Sequence, residues 1–508
     1  MPAINTPTSS AANYLPDNFT LCNPLTFTEI EKSFTDLEEV EIEQVLPELQ
    51  QTEEPDRHVT GRRFFDIEDF VEHCYTNAKK FSVIYNLLEM NEGSIYINPH
   101  SNVQNIFEDI LNSEEQEYPI YICDVNDLIA KFKLWKKVFP RIEPYYAVKC
   151  NNHPIVIQVL ATLGVNFDCA SKFEIEQIIS LKVDPSRIIF AHICKSASHI
   201  KYASENNVKL MTFDCEEELF KIKNNFPEAE TILRIKYDDS NAESNFGIKF
   251  GCDPYTEAEE LLKISFRENL KVVGVSFHIG FLSKNPSLFY KTIQAAYHVF
   301  QIAAKLGHKF YLLDIGGGVL GTDDNLAALY AEYINKGLND YFSDDSIRII
   351  SEPGTFFVQS AFTLACCVQL VKKKVTKNVQ TDKSIYYNYY INDGVHGDFA
   401  VIMYHDIKYI PRPIKNTNET LFLSTIWGPT CDVADKVCDQ VLLPKMDIGD
   451  WLLFNNTGNY TQVLSSKFNG FGSKKIYNII NYENMLLLRT KWPSNYCNFI
   501  IKQSEEII

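Results

Sequence analysis

A lysine follows a short apolar and aromatic stretch in the middle of the chain. The stretch reads PYYAVKC over residues 144–150, which predicts a buried strand with Tyr145, Ala147 and Lys149 on one face. A lysine in that position either reaches solvent or lies in a dry pocket with a lowered pKa. The second arrangement suits a Schiff-base lysine, because only the neutral amine attacks a carbonyl. Taken alone, the stretch favours the solvent-exposed lysine.

Further polar residues close the strand-like runs that follow. Any one of them has an ordinary explanation, such as a helix cap for Asp168 or an ion pair for Arg234. Together they indicate a site, because parallel strands of a barrel present their C-terminal ends at one face. The eight ends are Lys149, Asp168, His192, Asp214, Arg234, His278, Gly316 and Glu352.

A glycine run follows the seventh of these strands, in the sequence Asp314-Ile-Gly-Gly-Gly318. Three glycines let the backbone approach a ligand, and this region of a barrel commonly binds phosphate; a simple tight turn is the alternative. Glu352 could accept the N–H of a protonated pyridine nitrogen, with His278 stacked on the ring. With Lys149 for the imine, these features indicate pyridoxal phosphate and no metal.

Alternating strands and helices must position these residues. Eight strand-like runs predict a (β/α)8 barrel over residues 121–355. Beyond residue 356 short alternating segments predict an antiparallel β-barrel or sandwich over residues 356–508. We expect residues 62–120 to lead into the barrel and partly join the β domain, and residues 1–61 to be an acidic, disordered extension. The strand-like runs are Tyr145–Lys149, Asn166–Ala170, Ile188–His192, Leu210–Asp214, Thr231–Ile235, Val272–His278, Tyr311–Ile315 and Arg348–Glu352.

Composition restricts the partners and the compartment. A formal net charge of −18 argues against nucleic acid and anionic membranes. The 13 cysteines include no CxxC pair, which favours reduced thiols, and we find no signal peptide or long apolar run. The sequence therefore predicts a soluble cytoplasmic protein.

Longer motifs carry a family resemblance over about residues 118–471. PYYAVKCN, FDCASKFEIEQ, VSFHIG, LLDIGGG, SEPG, NDGV, IWGPTCD and FNGF resemble eukaryotic ornithine decarboxylases, which have an alanine-racemase-like fold. The resemblance implies that Lys149 binds pyridoxal phosphate covalently and that Glu352 pairs with its ring nitrogen. It places Asp168 and Glu174 in the cofactor's surroundings. Arg234 and His278 would flank the ring, and Gly316, Gly317, Gly318 and Tyr460 would contact the phosphate.

The resemblance also implies a homodimer, or a heterodimer with a paralogue, whose active sites are shared. Cys431 would cross the interface to assist protonation of the product. Asp432 would cross with it to bind the distal amine of the substrate.

Four positions depart from the family pattern. Thr355 replaces an arginine that binds the cofactor phosphate, and Phe281 and Leu282 replace a serine and a glycine near it. In the substrate pocket, His405 after Tyr404 replaces an acid that helps bind the terminal ammonium. Asp406, the next residue, could compensate by turning inward.

Two functions follow from this pattern. The first is pyridoxal-phosphate-dependent decarboxylation of ornithine to putrescine for polyamine biosynthesis, or of a related basic amino acid such as arginine or lysine. The second is a weakly active or inactive paralogue that binds antizyme, as antizyme inhibitors do. The surface expected to bind antizyme lies within residues 201–230, whose mixed charges favour neither function.

Overall fold

The computed structural model describes residues 85–90, 93–97, 103–113, 116–237, 246–280, 285–378, 381–415 and 420–491. These residues belong to one compact unit, residues 73–508. The acidic segment 1–61 lies outside the described residues, and so do Phe281 and Leu282.

The described elements alternate between strands and helices from residue 93 to residue 358 and are mostly strands afterwards. In chain order they are β1 (Tyr85–Met90), β2 (Gly93–Ile97), α1 (Val103–Ser113), β3 (Ile120–Asp124), α2 (Val125–Val138), β4 (Ile142–Ala147), α3 (Pro154–Thr162), β5 (Asn166–Cys169), α4 (Lys172–Ser180), β6 (Ile188–Phe190), α5 (Ala197–Glu205), β7 (Leu210–Phe213), α6 (Glu216–Asn225), β8 (Glu230–Arg234), α7 (Ala258–Arg267), β9 (Lys271–Ser276), α8 (Ser287–Leu306), β10 (Leu312–Asp314), α9 (Asp324–Tyr341), β11 (Arg348–Ser351), α10 (Thr355–Val358), β12 (Phe362–Asn378), β13 (Thr381–Ile391), β14 (Arg412–Pro413), β15 (Phe422–Trp427), β16 (Lys436–Leu443), β17 (Trp451–Phe454), β18 (Lys475–Ile480) and α11 (Tyr482–Lys491).

Strands β4 to β11 form the closed parallel barrel that the sequence predicts. Their order around the barrel is β10-β11-β4-β5-β6-β7-β8-β9, so each strand pairs with its neighbours in the chain and β11 closes on β4. One apolar side chain from each of seven strands fills the interior, as is usual for this architecture. The seven are Tyr145, Ile189, Leu210, Ile232, Val273, Leu312 and Ile350.

The strands end earlier than the apolar runs suggest. Strand β4 stops at Ala147, whose N–H donates to Pro353 O at 3.1 Å, and Lys149 lies in the 3-10 turn Val148–Cys150 that follows. The expectation that Lys149 continues the strand face of Tyr145 was therefore wrong. His192 and His278 likewise lie two residues beyond their strands, β6 and β9. Lys149, His192 and His278 thus lie just beyond the C-terminal ends of their strands.

A second, mostly β domain is built around the long strand β12. Its sheet runs in the order β1-β2-β18-β3-β12-β13-β15-β16, and β17 joins β12 to β14. Most of its strand pairs are antiparallel as predicted, but β13 pairs with β15 in parallel, and β18 pairs in parallel with β2 and β3. The fold class, a (β/α)8 barrel with a separate mostly β domain, is confirmed. None of the described helices is long and apolar enough to span a membrane.

Candidate active site

A cavity of about 480 Å³ opens at the C-terminal ends of the barrel strands. The barrel contributes Lys149, His192, Arg234, His278, Gly317, Gly318, Glu352 and Thr355 to its wall, and the β domain contributes Val401, Tyr404, His405, Tyr460 and Leu464. Most of the predicted site residues therefore converge on one cavity. Asp168 and Gly316 support the residues of that wall, while Cys431 and Asp432 do not line it.

Lys149 forms an ion pair beneath the cavity. Its Nζ lies 2.5 Å from Asp168 Oδ2, and the Asp168 side chain is fully buried. Burial by itself lowers the pKa of the Lys149 ammonium, but the negative charges of Asp168 and Glu352 outweigh burial and raise it above its ordinary value. The expectation of a lowered pKa was wrong, because it ignored these carboxylates.

His278 is a neutral wall residue. Burial, followed by the charges of Arg234 and Lys149, holds its pKa well below the ordinary value. Its Nδ1 accepts a hydrogen bond from the Gly280 N–H at 3.0 Å, which fixes the plane of the ring. A neutral, oriented imidazole can pack against an aromatic ligand without a net charge.

Three acidic side chains with raised pKa values lie at or near the cavity: Glu352, Asp314 and Glu174. Burial, Asp168 and Asp314 raise the pKa of Glu352 well above its ordinary value. Burial also raises the pKa of Asp314 to about 7, and its Oδ1 accepts from the Gly316 N–H at 2.9 Å. Glu174 has a pKa of about 7, again chiefly through burial, and accepts from the Ala170 N–H at 2.5 Å. This excess of carboxyl groups favours a ligand with a cationic ring nitrogen near Glu352.

The backbone of the glycine run packs closely against neighbouring backbone atoms at the cavity wall. A Cβ added at Gly316 would lie 2.1 Å from Phe277 O, and one at Gly317 would lie 2.7 Å from Glu352 O. At Gly318, where φ is +105°, a Cβ would lie 2.6 Å from Gly280 O. No side chain fits at these three positions, so the peptide groups of Gly317 and Gly318 form the cavity surface.

Thr355 occupies the position where the family pattern has an arginine. It is the first residue of α10 and is buried, and its Oγ1 lies 3.9 Å from Cys150 Sγ. A threonine hydroxyl can form hydrogen bonds with a phosphate but carries no charge. The site thus retains the glycine run but has no arginine at position 355 to form two charge-assisted hydrogen bonds with a phosphate.

The β-domain side of the cavity contains a histidine where the family pattern has an acid. His405 and Tyr404 both line the cavity, but Asp406 is exposed and does not. Compensation by Asp406 is therefore not observed. Glu352 is the only carboxylate among the described residues that line the cavity.

Cys431 and Asp432 lie on a loop after β15, outside the cavity of their own chain. Cys431 is exposed, and its N–H donates to Asn469 Oδ1 at 3.1 Å. Asp432 Oδ2 lies 2.7 Å from Nε2 of His396. Sequence reasoning missed His396, which follows the NDGV motif directly and so lay next to a recognised signal.

These residues fit pyridoxal phosphate. Lys149 would supply the amine, and the glycine run offers a surface that a phosphate could approach closely. Asp168 Oδ1 is buried and has no hydrogen-bond partner among the described residues. This oxygen can therefore accept a hydrogen bond from Lys149 or from a ligand. The carboxyl group of Glu352 could accept a hydrogen bond from a protonated pyridine nitrogen.

Comparison with known proteins gives the same assignment. The pyridoxal binding domain of the pyridoxal-dependent decarboxylases matches residues 125–359. Ornithine decarboxylase 2 of Drosophila melanogaster is 40% identical over 378 residues, covering 74% of this chain and 95% of that protein. Antizyme inhibitor 2 of Xenopus laevis is 40% identical over 390 residues, covering 74% of this chain and 84% of that protein.

A solved structure agrees in fold. The arginine decarboxylase of Paramecium bursaria Chlorella virus, bound to agmatine, matches with a TM-score of 0.70 and 36% identity, covering 74% of this chain and all of the other. Like the sequence matches above, this match covers 74% of the chain, which is more than the barrel alone. The chain belongs to the ornithine decarboxylase family of pyridoxal-phosphate-dependent decarboxylases.

Proposed function

We propose that this protein decarboxylates ornithine, or a closely related basic amino acid, to the corresponding diamine in polyamine biosynthesis. One observation carries the proposal: Lys149 lies at the cavity floor, paired with the buried Asp168 and beside the glycine run and Glu352. Pyridoxal phosphate, when bound, supplies an electron sink for the electrons released as the carboxylate leaves. The residues of the chain bind and orient the reactants and hold protons at defined atoms near the cofactor.

Each wall residue has a distinct part in this proposal. Asp168 holds a proton at Lys149 Nζ through the 2.5 Å ion pair. Glu352 provides the carboxyl group for the ring nitrogen, and the neutral His278 packs against the ring. Apolar side chains exclude water from the remaining space; they are Ile193, Phe250, Leu320, Val401 and Leu464.

The substrate's distal ammonium requires an anion, and among the described residues that line the cavity the only carboxylate is Glu352, which is assigned to the ring nitrogen. Asp432 is a suitable carboxylate, and we infer that a second copy of the chain brings it there together with Cys431. The exposure of Cys431 in a single chain supports this homodimer. We place the reaction in the cytoplasm.

A decarboxylation assay tests the proposed function. Purified protein with saturating pyridoxal phosphate is incubated with carboxyl-labelled ornithine, lysine or arginine, and released CO2 is counted. We expect release from ornithine above that of a Lys149→Ala control. Release at the control rate from all three substrates would contradict the proposal.

The antizyme-inhibitor function is a second candidate, because Thr355 and His405 weaken two contacts that an active site needs. Its test is capture of the protein on immobilised antizyme, with and without a competing active decarboxylase. Retention without CO2 release would support the regulator. Failure to bind would contradict it.

A further inference from the structure

His396 contacts the carboxylate expected to bind the substrate. Its Nε2 lies 2.7 Å from Asp432 Oδ2, and both side chains are partly exposed. An ionised carboxylate can only accept hydrogen bonds, so the imidazole must donate from Nε2. The pKa of Asp432 is lowered, first by the Ala434 N–H that donates to Oδ1 and then by His396, so the carboxylate is ionised near neutral pH.

The histidine is itself held in place. Its carbonyl oxygen accepts hydrogen bonds from Ser466 N at 3.0 Å and from Ser466 Oγ at 2.7 Å. Its ring packs against Phe468, with the ring centroids 4.8 Å apart. His396 therefore presents its Nε2–H in a defined direction.

A second, buried contact connects the loops that carry His396 and Asp432. Asp435 is 1% exposed, and its Oδ1 accepts from Val395 N at 2.8 Å. Its Oδ2 accepts from Thr430 N at 3.0 Å and from Thr430 Oγ1 at 2.6 Å. A Cβ at Gly394 would lie 2.1 Å from Asp435 Oδ1, so this glycine leaves room for the carboxylate. Asp435 fixes the separation of the two loops, and His396 then fixes the Asp432 side chain.

We propose that His396 is a specificity-determining positioning residue, an inference that rests on the proposed function. Each Asp432 oxygen receives one hydrogen bond, from His396 or from Ala434, and retains a lone pair for a further donor. The carboxylate is thus oriented before an ammonium arrives, which reduces the entropy lost when the side chain is ordered on binding. His396 thereby selects for ligands that carry a distal ammonium group.

Binding of two small amines tests this role without turnover. Calorimetry measures the affinity of the protein, loaded with pyridoxal phosphate, for 1,4-diaminobutane and for 1-aminobutane, which lacks the distal group. We expect the wild type to prefer the diamine by about tenfold or more. His396→Phe should lose most of that preference while its affinity for the monoamine stays unchanged. His396→Gln retains an N–H donor at similar reach and should keep the preference.

A double-mutant cycle isolates the contact with Asp432. Asp432→Asn should abolish the diamine preference, and adding His396→Phe to it should cause no further loss. An unchanged preference in His396→Phe, an equal loss for both amines, or no preference in the wild type would overturn the inference. Absence of CO2 release from ornithine, with the diamine preference and its dependence on His396 intact, would contradict the proposed function alone.

Discussion

Lys149 and Asp168 form an ion pair at the floor of the cavity, with Nζ 2.5 Å from Oδ2 and the Asp168 side chain fully buried. The pair keeps the lysine protonated and in position, because the buried carboxylate would otherwise be uncompensated. A protonated amine does not attack a carbonyl. Asp168 therefore determines the pH at which Lys149 can react with an aldehyde cofactor.

Replacing Asp168 tests this relationship. In Asp168→Asn the raising effect of the carboxylate is lost while burial remains, so the pKa of Lys149 should fall. The rate at which the apoprotein captures pyridoxal phosphate, followed by stopped-flow absorbance, should reach its plateau at lower pH than in the wild type. Asp214→Asn is the matched control, since Asp214 accepts a hydrogen bond from the Gly251 N–H and is not the ion-pair partner of Lys149. Superimposable profiles for the wild type and Asp168→Asn would refute the role given to Asp168.

Thr355→Arg should tighten cofactor binding. A guanidinium at this position adds a charge-assisted, bidentate contact to the phosphate, worth about 1.5–3 kcal/mol, or about one to two decades in Kd. Equilibrium dialysis against pyridoxal phosphate measures the change, and Thr355→Met controls for side-chain length. An unchanged Kd in the arginine variant would mean that another group already provides this charge.

His405→Asp should improve binding of ornithine. The substitution places a second carboxylate in the cavity wall, where the distal ammonium of a basic amino acid can reach it. We expect the KM for ornithine to fall by about tenfold, with His405→Asn close to the wild type. If the asparagine variant behaves like the aspartate variant, volume rather than charge would explain the effect.

Glu352 makes the stability of the apoprotein depend on pH. Its folded-state pKa lies well above the ordinary value of 4.5, so above that pH the folded protein binds more protons than the unfolded chain. This group therefore destabilises the fold increasingly as pH rises from the unfolded pKa toward the folded one.

Glu352→Gln removes this titration. Denaturant unfolding measures the free energy of unfolding of the two apoproteins. Below about pH 4.5 the difference between the wild type and the variant should not change with pH. The variant should gain stability relative to the wild type as pH rises above about 4.5. A constant difference across the range would show that Glu352 is not held protonated by its surroundings.

The barrel and much of its site were predictable from sequence because the signals are local. Each strand is a short apolar run, and each ends near a polar residue such as Asp168, Arg234 or Glu352. The parallel pairing of β13 with β15 was not predictable, since alternation within a strand does not reveal the direction of its neighbour.

Long-range electrostatics explain the remaining errors. The pKa of Lys149 depends on Asp168 and Glu352, which are 19 and 203 residues away in the chain. The contact between His396 and Asp432 joins two loops 36 residues apart, and the buried Asp435 that also connects these loops has no sequence signature. Such contacts become visible only when the loops are placed in space.

Covalent trapping tests the central claim most directly. The protein is mixed with pyridoxal phosphate, reduced with borohydride, digested and analysed by mass spectrometry, with Lys149→Ala as control. We predict one pyridoxyl group per chain, located on Lys149 and absent from the variant. Modification spread over surface lysines, or none at Lys149 at saturating cofactor, would contradict the assignment of this cavity as the active site.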